Sequence, residues 1–237
     1  MNLPSLTIIL PIFNEEDTIE KSVNSCKEIA RRLTTNFEIL LIDDGSQDRT
    51  REIIKRLILS EQRIKTTFLP GHMGYGKTLS TGFNNASKEF IFYTDSDLPI
   101  DIFKELPEAA SLMSEGIDAV IGCRMNRNDM FLRKIYSAIY NFMGRIFFGI
   151  QVRDINFSCK LLRRRIFDKI KLNSSSVFID MELLVNLNFY GFKVREFPVT
   201  YIARKHGCSN FNSFLYALGI FIEILIFWIR GYLKKDK

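Results

Sequence analysis

Phe90-Ile-Phe-Tyr-Thr-Asp-Ser-Asp97 is a short apolar run that ends abruptly in two carboxylates two positions apart. A run of strand formers this short and this apolar belongs to a strand buried on both faces, and the polar switch marks where it leaves the sheet. The pattern recurs outward from here. Leu6–Leu10 precedes Asn14-Glu15-Glu16, Phe37–Ile42 precedes Asp43-Asp44-Gly45-Ser46, and Ala119–Gly122 precedes Arg124, with a further run at Ile64–Leu69. Amphipathic stretches at about 15–34, 48–60, 77–88 and 101–115 alternate with these strands. Strand–helix alternation predicts an α/β fold with right-handed crossovers, a mainly parallel sheet and helices on both faces. Ligands in such sheets bind beyond the carboxyl ends of the strands, so the four polar clusters are expected to converge on one crevice.

The chain of 237 residues is long enough for one sizeable α/β domain with a short appendage. At 46% hydrophobic and 25% charged residues it is globular in composition, and neither internal repeats nor low-complexity linkers interrupt it. Cys26, Cys123, Cys159 and Cys208 are scattered without a metal-binding spacing, which suits a reducing compartment better than a disulfide framework. Met1-Asn2-Leu3-Pro4 has no basic stretch leading into an apolar run, so no signal peptide is expected. The net charge of +6 is unevenly spread. Residues 1–123 hold 13 Lys/Arg against 19 Asp/Glu, whereas residues 124–171 hold 12 against 3, a local net of +9. Such a block suits nucleic acid, a membrane surface or a phosphorylated substrate. Nucleic acid is disfavoured because the aromatics gather on an apolar helix face and no RNA-binding signature appears.

The second half changes character. Residues 131–148 read as an aromatic-rich helix whose polar residues Arg133, Ser137, Asn141 and Arg145 recur every four positions as one stripe. Phe211–Ile229 is more apolar still and runs into Arg230, Lys234, Lys235 and Lys237. As a helix its 19 residues reach about 28 Å, close to a hydrocarbon core. A polar stripe (Asn212, Tyr216, Gly219, Glu223, Arg230) and the basic end favour a helix lying in the membrane interface over a crossing.

Individual motifs carry different weights. Asp95 and Asp97 at a strand end can share one divalent cation, Mg²⁺ or Mn²⁺, and so hold a diphosphate; the competing reading makes them N-caps of the helix at 101–115. Asp43-Asp-Gly-Ser46 is a turn whose acidic group can meet a base or ribose edge. Gly71-His-Met-Gly-Tyr-Gly-Lys-Thr78 matches the phosphate-cradling P-loop pattern, an alternative that leaves Asn14-Glu15 and Asp43-Asp44 idle. Arg204-Lys-His-Gly-Cys-Ser209 is rich in hydrogen-bond donors, and Asp180 or Glu182 is available to a site.

Taken together these stretches resemble glycosyltransferase family 2, in its dolichyl- and polyprenyl-phosphate sugar synthase branch. The likeness runs from about Leu6 to Asn210. Pro11-Ile-Phe-Asn-Glu-Glu16 resembles P-x-[YF]-N-E-E, Asp43-Asp-Gly-Ser46 the nucleotide-contacting D-D-G-S, and Asp95-Ser-Asp97 the metal-binding D-x-D. Gly74-Tyr-Gly-Lys-Thr-Leu79 is similar to G-x-G-x-A-L, which weakens the P-loop match. Val152-Arg-Asp154 through Lys160 resembles V-x-D-x-x-S-G-F-[KR], Phe178–Leu184 an acidic helix start, and the 204–209 stretch R-x-x-G-x-S. Two positions depart: Phe157-Ser158-Cys159 stands for S-G-F, where a helix entry is expected, and Pro99 stands where Gln is common.

The resemblance implies a Rossmann-like nucleotide-diphospho-sugar transferase (GT-A) fold over residues 1–210, with residues 211–237 as a hydrophobic membrane-associated helix and basic tail. It implies an inverting transfer of a hexose, from a donor of the GDP-mannose or UDP-glucose type, to a polyprenyl or dolichyl phosphate at the cytoplasmic face of a membrane. Asp97 would ligate the metal directly and Asp95 bridge metal and nucleotide. Pro11, Phe13, Glu15, Asp43, Lys77 and Ser96 would contact the nucleotide sugar. Arg133, Ser137 and Arg204 would hold the acceptor phosphate, assisted by Arg124, with Asp154, Asp180 and Glu182 as further acidic candidates. A phosphate acceptor needs no general base, whereas a saccharide or lipid hydroxyl, the rival acceptor, would take Asp180 or Glu182 as one. A homo-oligomer or a small membrane partner subunit is compatible with this reading.

Overall fold

The computed structural model describes residues 3–125, 131–202 and 214–235 of the 237. Strands β1 (Leu6–Ile12), β2 (Phe37–Asp43), β3 (Ile64–Phe68), β4 (Phe90–Tyr93) and β5 (Ala119–Arg124) alternate with helices α1 (Ile19–Leu33), α2 (Thr50–Ser60), α3 (Tyr75–Asn85) and α4 (Ile102–Leu112). There follow α5 (Phe131–Phe148), β6 (Lys160–Arg163), a 3₁₀ turn at Arg164–Asp168, α6 (Ile179–Phe189), β7 (Val194–Val199) and α7 (Phe214–Lys235). The seven strands form one sheet in the order β3-β2-β1-β4-β6-β5-β7. Every pairing is parallel except the two made by β6. This is the Rossmann-like architecture expected of the first half.

β1, β2 and β4 are buried at every position, as their mostly apolar runs require, and Thr7 and Glu38, polar inside β1 and β2, hydrogen-bond each other at 2.8 Å. Two layers cover the sheet: α1 and α4 pack against Leu6, Ile8, Ile39 and Phe92, while α3 and α6 cover Ile9, Ile42, Ile91 and Tyr93. Cys26, Cys123 and Cys159 are buried free thiols; burial pushes Cys26 up to about 12 and Cys159 higher still, so they serve as small apolar side chains.

Two strands were not legible in the sequence. The segment expected to enter a helix after Ser158 enters β6 instead. Lys160 lies opposite Tyr93, and the antiparallel strand wedges between β4 and β5. β7 adds in parallel to β5 at the far edge, with only Phe197 and Val199 of its six residues buried.

α5 and α7 stand against the α6 side of the sheet. They touch each other through Phe147 and Trp228, with ring centroids 5.5 Å apart. The expected polar stripe of α5 turns partly inward, since Asn141 Oδ1 accepts the Ile155 N–H at 3.1 Å. Ile135, Tyr136, Ile139, Phe142 and Ile146 face outward on the same helix. On α7, Glu223 meets the domain while Leu218, Phe221, Ile222, Ile226, Trp228 and Ile229 are exposed. Among the described residues no helix is long and apolar enough to cross a membrane.

Candidate active site

The crevice opens where β1 and β4 part. Their pairing stops at Ile9 opposite Tyr93, and Ile9 O takes a last hydrogen bond from Thr94 N. Ile12 O takes one from Asp44 N on the β2 side, so by strand alternation the backbone of Pro11 faces β4. Proline has no N–H to continue that ladder, and the sheet splits at this point. The polar ends of β2, β1 and β4 therefore stand side by side, and three of the four expected clusters converge.

At β4, Asp95 and Asp97 are half-buried around a tight turn closed by Leu98 N to Asp95 O at 3.0 Å, with Leu98 at φ 48°. Ser96 is buried. Capping does not account for the pair: Asp101 is the N-cap of α4 and accepts from Phe103 N at 3.1 Å. Tyr75, at the start of α3, donates its hydroxyl to Asp95 Oδ1 at 3.2 Å. The Thr94 hydroxyl at the root of the turn is buried without a hydrogen-bond partner among the described residues. Two carboxylates suit a hard divalent cation that takes its other oxygens from diphosphate and water. Among the described residues no third His, Cys, Asp or Glu joins them.

At β2 the two aspartates divide their work. Asp43 is fully buried, accepts Ser46 N at 3.3 Å and is held by Arg51 Nε at 2.6 Å. Arg51 also donates to Leu69 O at 3.0 Å, which ties the ends of β2 and β3 together. Asp44 accepts Met73 N at 2.6 Å and Gly74 N at 3.1 Å, and its Oδ2 lies 2.9 Å from His72 Nδ1. The exposed His72 ring rests against Phe13, with centroids 4.4 Å apart. Gly45, at φ 82°, lets this turn approach the 71–72 backbone; a Cβ there would meet Gly71 C at 2.6 Å. At β1, Glu15 is drawn into the turn before α1, where its carboxylate accepts the Thr18 hydroxyl at 2.6 Å.

The glycine-rich stretch at 71–78 is no phosphate cradle. The N–H groups of Met73 and Gly74 already serve the Asp44 carboxylate, and that of Gly76 serves Ser175 O at 3.0 Å. Its glycines serve contact instead. A Cβ on Gly74 would lie 2.5 Å from Ser175 O, and one on Gly76 would lie 2.4 Å from Ser174 O. Lys77 stands exposed on the outer side of α3.

The fourth cluster sits apart, because β6 separates β5 from β4. Arg124 forms a nearly buried two-pronged pair with Asp154, at 2.7 and 2.8 Å, and its guanidinium lies over Phe157 and Tyr201. Ser137 is half-exposed on α5. The Arg133 side chain and all of Arg204 lie outside the described residues, though the chain approaches the acidic turn where Ile202 N donates to Pro99 O at 2.9 Å.

Asp180 and Glu182, the candidate bases for a hydroxyl acceptor, are both buried in the first turn of α6. Asp180 Oδ1 is 2.6 Å from the fully buried Lys160 Nζ and also accepts the Tyr93 hydroxyl. Burial, followed by the Asp180 charge, pushes the Tyr93 hydroxyl well above its ordinary value. Glu182 accepts Asn173 N at 3.0 Å and Ser174 N at 2.9 Å. Neither carboxylate is presented to a substrate. The sequence reading also passed over Arg51, His72, Tyr75 and Lys160. Tyr75 and Lys160 stand inside motifs already noticed; nothing local marks Arg51.

The glycosyl transferase family 2 profile matches residues 7–171, which cover the sheet's crevice and the acidic turn. The chain belongs to glycosyl transferase family 2. Among its relatives are undecaprenyl-phosphate 4-deoxy-4-formamido-L-arabinose transferases. That of Pectobacterium atrosepticum is 27% identical over 230 residues, covering 94% of this chain and 67% of its own. That of Photorhabdus laumondii is 28% identical over 229 residues, with the same coverage. This chain thus spans about two thirds of the length of those relatives. In fold, this glycosyltransferase is similar to the glucosyl-3-phosphoglycerate synthase of Mycobacterium tuberculosis. The UDP complex aligns with a TM-score of 0.65 at 19% identity, over 88% of this chain and 74% of that one. A complex of the synthase with Mn²⁺, UDP and glucosyl-3-phosphoglycerate aligns at 0.63 and 19%, over 86% and 73%.

Proposed function

We propose that this glycosyltransferase moves a sugar from a nucleoside-diphosphate donor to a polyprenyl phosphate, at the cytoplasmic face of a membrane. The observation that carries this reading is the pair of sequestered carboxylates: Asp180 and Glu182 are spent on Lys160, Tyr93 and backbone N–H groups, so neither serves a hydroxyl acceptor as base. A lipid monophosphate needs none, because its second ionisation lies near pH 6 and it arrives as a nucleophile. The names of the two relatives given above, both undecaprenyl-phosphate 4-deoxy-4-formamido-L-arabinose transferases, point to the same acceptor class.

In the proposed reaction an oxygen of the lipid phosphate attacks the anomeric carbon from the face opposite the leaving nucleoside diphosphate. The new C–O bond forms as the old one breaks, and the configuration inverts. Asp97 and Asp95 would hold Mg²⁺ or Mn²⁺, which would offset charge developing on the leaving diphosphate. Pro11, Phe13, Glu15 and Ser96 remain the proposed donor contacts, with His72 added as a ring beside Phe13; Asp43, buried against Arg51, holds the shape of the β2 turn, and Lys77 stands on the outer side of α3. Arg133, Ser137 and Arg204 are proposed to bind the acceptor phosphate. Arg124 acts through Asp154 as a strut at the end of β5. The outward apolar faces of α5 and α7, with Lys134, Arg145 and Arg153 near them, suit an anionic lipid surface.

The test is transfer of label from UDP-glucose, GDP-mannose and a nucleotide-linked 4-formamido-pentose into vesicles carrying polyprenyl phosphate, with and without Mn²⁺. Label in a mild-acid-labile lipid supports the proposal. Transfer only to soluble saccharides sinks it.

A further inference from the structure

Glu223 is the one acidic residue in α7, a helix otherwise apolar up to its basic end. An exposed position on such a helix would be the usual place for a carboxylate, yet this one faces the domain. Its two oxygens accept the hydroxyls of Ser174, at 2.7 Å, and Ser176, at 2.5 Å. Those serines organise the entry to α6: Ser176 Oγ accepts Phe178 N at 3.0 Å, and Ser174 Oγ accepts Ser176 N at 3.1 Å.

The same three-residue segment is the back wall of the glycine-rich turn. Ser175 O accepts Gly76 N at 3.0 Å, and the 174–176 carbonyls sit where any side chain on Gly74 or Gly76 would be. The turn so held contacts the crevice from two directions. Its Met73 and Gly74 N–H groups bind Asp44, and its Tyr75 hydroxyl binds Asp95. Contacts thus run without a gap from α7, through two serines and a glycine turn, to the acidic ends of β2 and β4.

We propose that Glu223 is a positioning residue for the donor site: by gripping Ser174 and Ser176 it fixes the glycine turn that aims Asp44 and Asp95. The proposal rests on the reading of this crevice as the nucleotide-sugar site. It joins the helix with the apolar outer face to the turn that would meet the diphosphate, and it touches no substrate itself.

The experiment uses the full chain and the variants Glu223→Ala and Glu223→Gln. UDP, GDP and CDP, each with MnCl₂, are titrated by calorimetry, and flotation with anionic vesicles is measured in parallel. Glu223→Ala is expected to weaken the diphosphate that wild type binds by about tenfold, equivalent to ~1.4 kcal/mol. Glu223→Gln, which keeps one acceptor oxygen, is expected to recover part of the loss. Vesicle flotation and the far-ultraviolet spectrum stay as in wild type. In turnover the donor KM rises while the acceptor KM holds. Diphosphate affinity equal to wild type in a folded Glu223→Ala overturns the positioning role and leaves the proposed function standing. Equal loss of donor and acceptor affinity also overturns it, because that marks a general structural effect. A wild-type chain that binds none of the three diphosphates overturns the donor-site reading, and the proposal with it.

Discussion

α1 and α5 are both amphipathic, yet α1 keeps its large apolar side chains inside, whereas α5 buries Tyr140 and Met143 and leaves much of its remaining apolar surface outward. α1 buries Ile19, Val23, Cys26, Ile29 and Leu33 and shows Glu20, Lys21, Glu28, Arg31 and Arg32 to water. α5 turns Asn141 toward the Ile155 N–H and exposes Ile135, Ile139, Phe142 and Ile146, the last two at 60% and 62%. α7 is divided in the same way, with Glu223 and Ile224 both inward. An amphipathic pattern says that two environments meet along a helix; it does not say which of them is the protein. On α1 the polar environment is water. On α5 and α7 it is partly the domain itself, and an outward face this apolar calls for something other than water to cover it.

The largest expected effect separates the two regions. Asp97→Ala, or chelation of the metal, should lower transfer by about 10³-fold, ~4 kcal/mol in the barrier. Vesicle flotation of the same variant should be untouched. A flotation defect would show that the regions are not separable in this way.

The next effect probes where they join. Lys160→Met leaves Asp180 buried beside Tyr93 without its cation, and breaking such a pair should cost about 3 kcal/mol. Urea unfolding measures it; a loss below ~1 kcal/mol would show that the Lys160–Asp180 pair is not what holds this part of the core.

Charging the outward apolar face is milder in stability and decisive for location. Phe142→Asp with Phe221→Asp should abolish flotation with anionic vesicles while shifting stability by no more than about 0.5 kcal/mol, since both side chains are exposed. Undiminished flotation would remove the lipid surface as the occupant of that face.

The smallest effect lies at the water-facing end of the sheet. Burial pushes the Glu38 carboxyl up, but hydrogen bonds from Lys65, Ser87 and Thr7 outweigh it and hold the group below its ordinary value. A carboxyl depressed on folding stabilises above its unfolded value, about 4.3, and that contribution is lost as pH falls through the folded value. Glu38→Gln should therefore flatten the acid limb of the stability curve, read by circular dichroism between about pH 5 and pH 2. An unchanged acid limb would assign the loss to other carboxylates.

What the sequence by itself determined was local and periodic. Mostly apolar runs at 6–10, 37–42 and 90–94 specify doubly covered strands, and the residues that end them specify where a crevice opens. The bounds of α5, 131–148, followed from apolar spacing alone. What only the tertiary structure decided was partnership. β6 carries no alternation that announces an antiparallel strand inside a parallel sheet, and β7 is a short run broken by Arg195, Glu196 and Pro198, as an edge strand with one covered face allows. The fate of each acid was equally invisible. Asp95 and Asp180 are the same residue type near the end or start of an apolar run, yet one stands half-exposed at the crevice and the other is buried against Lys160. Residues 20 to 87 positions apart in the chain set that difference through burial and pairing, which no local pattern encodes.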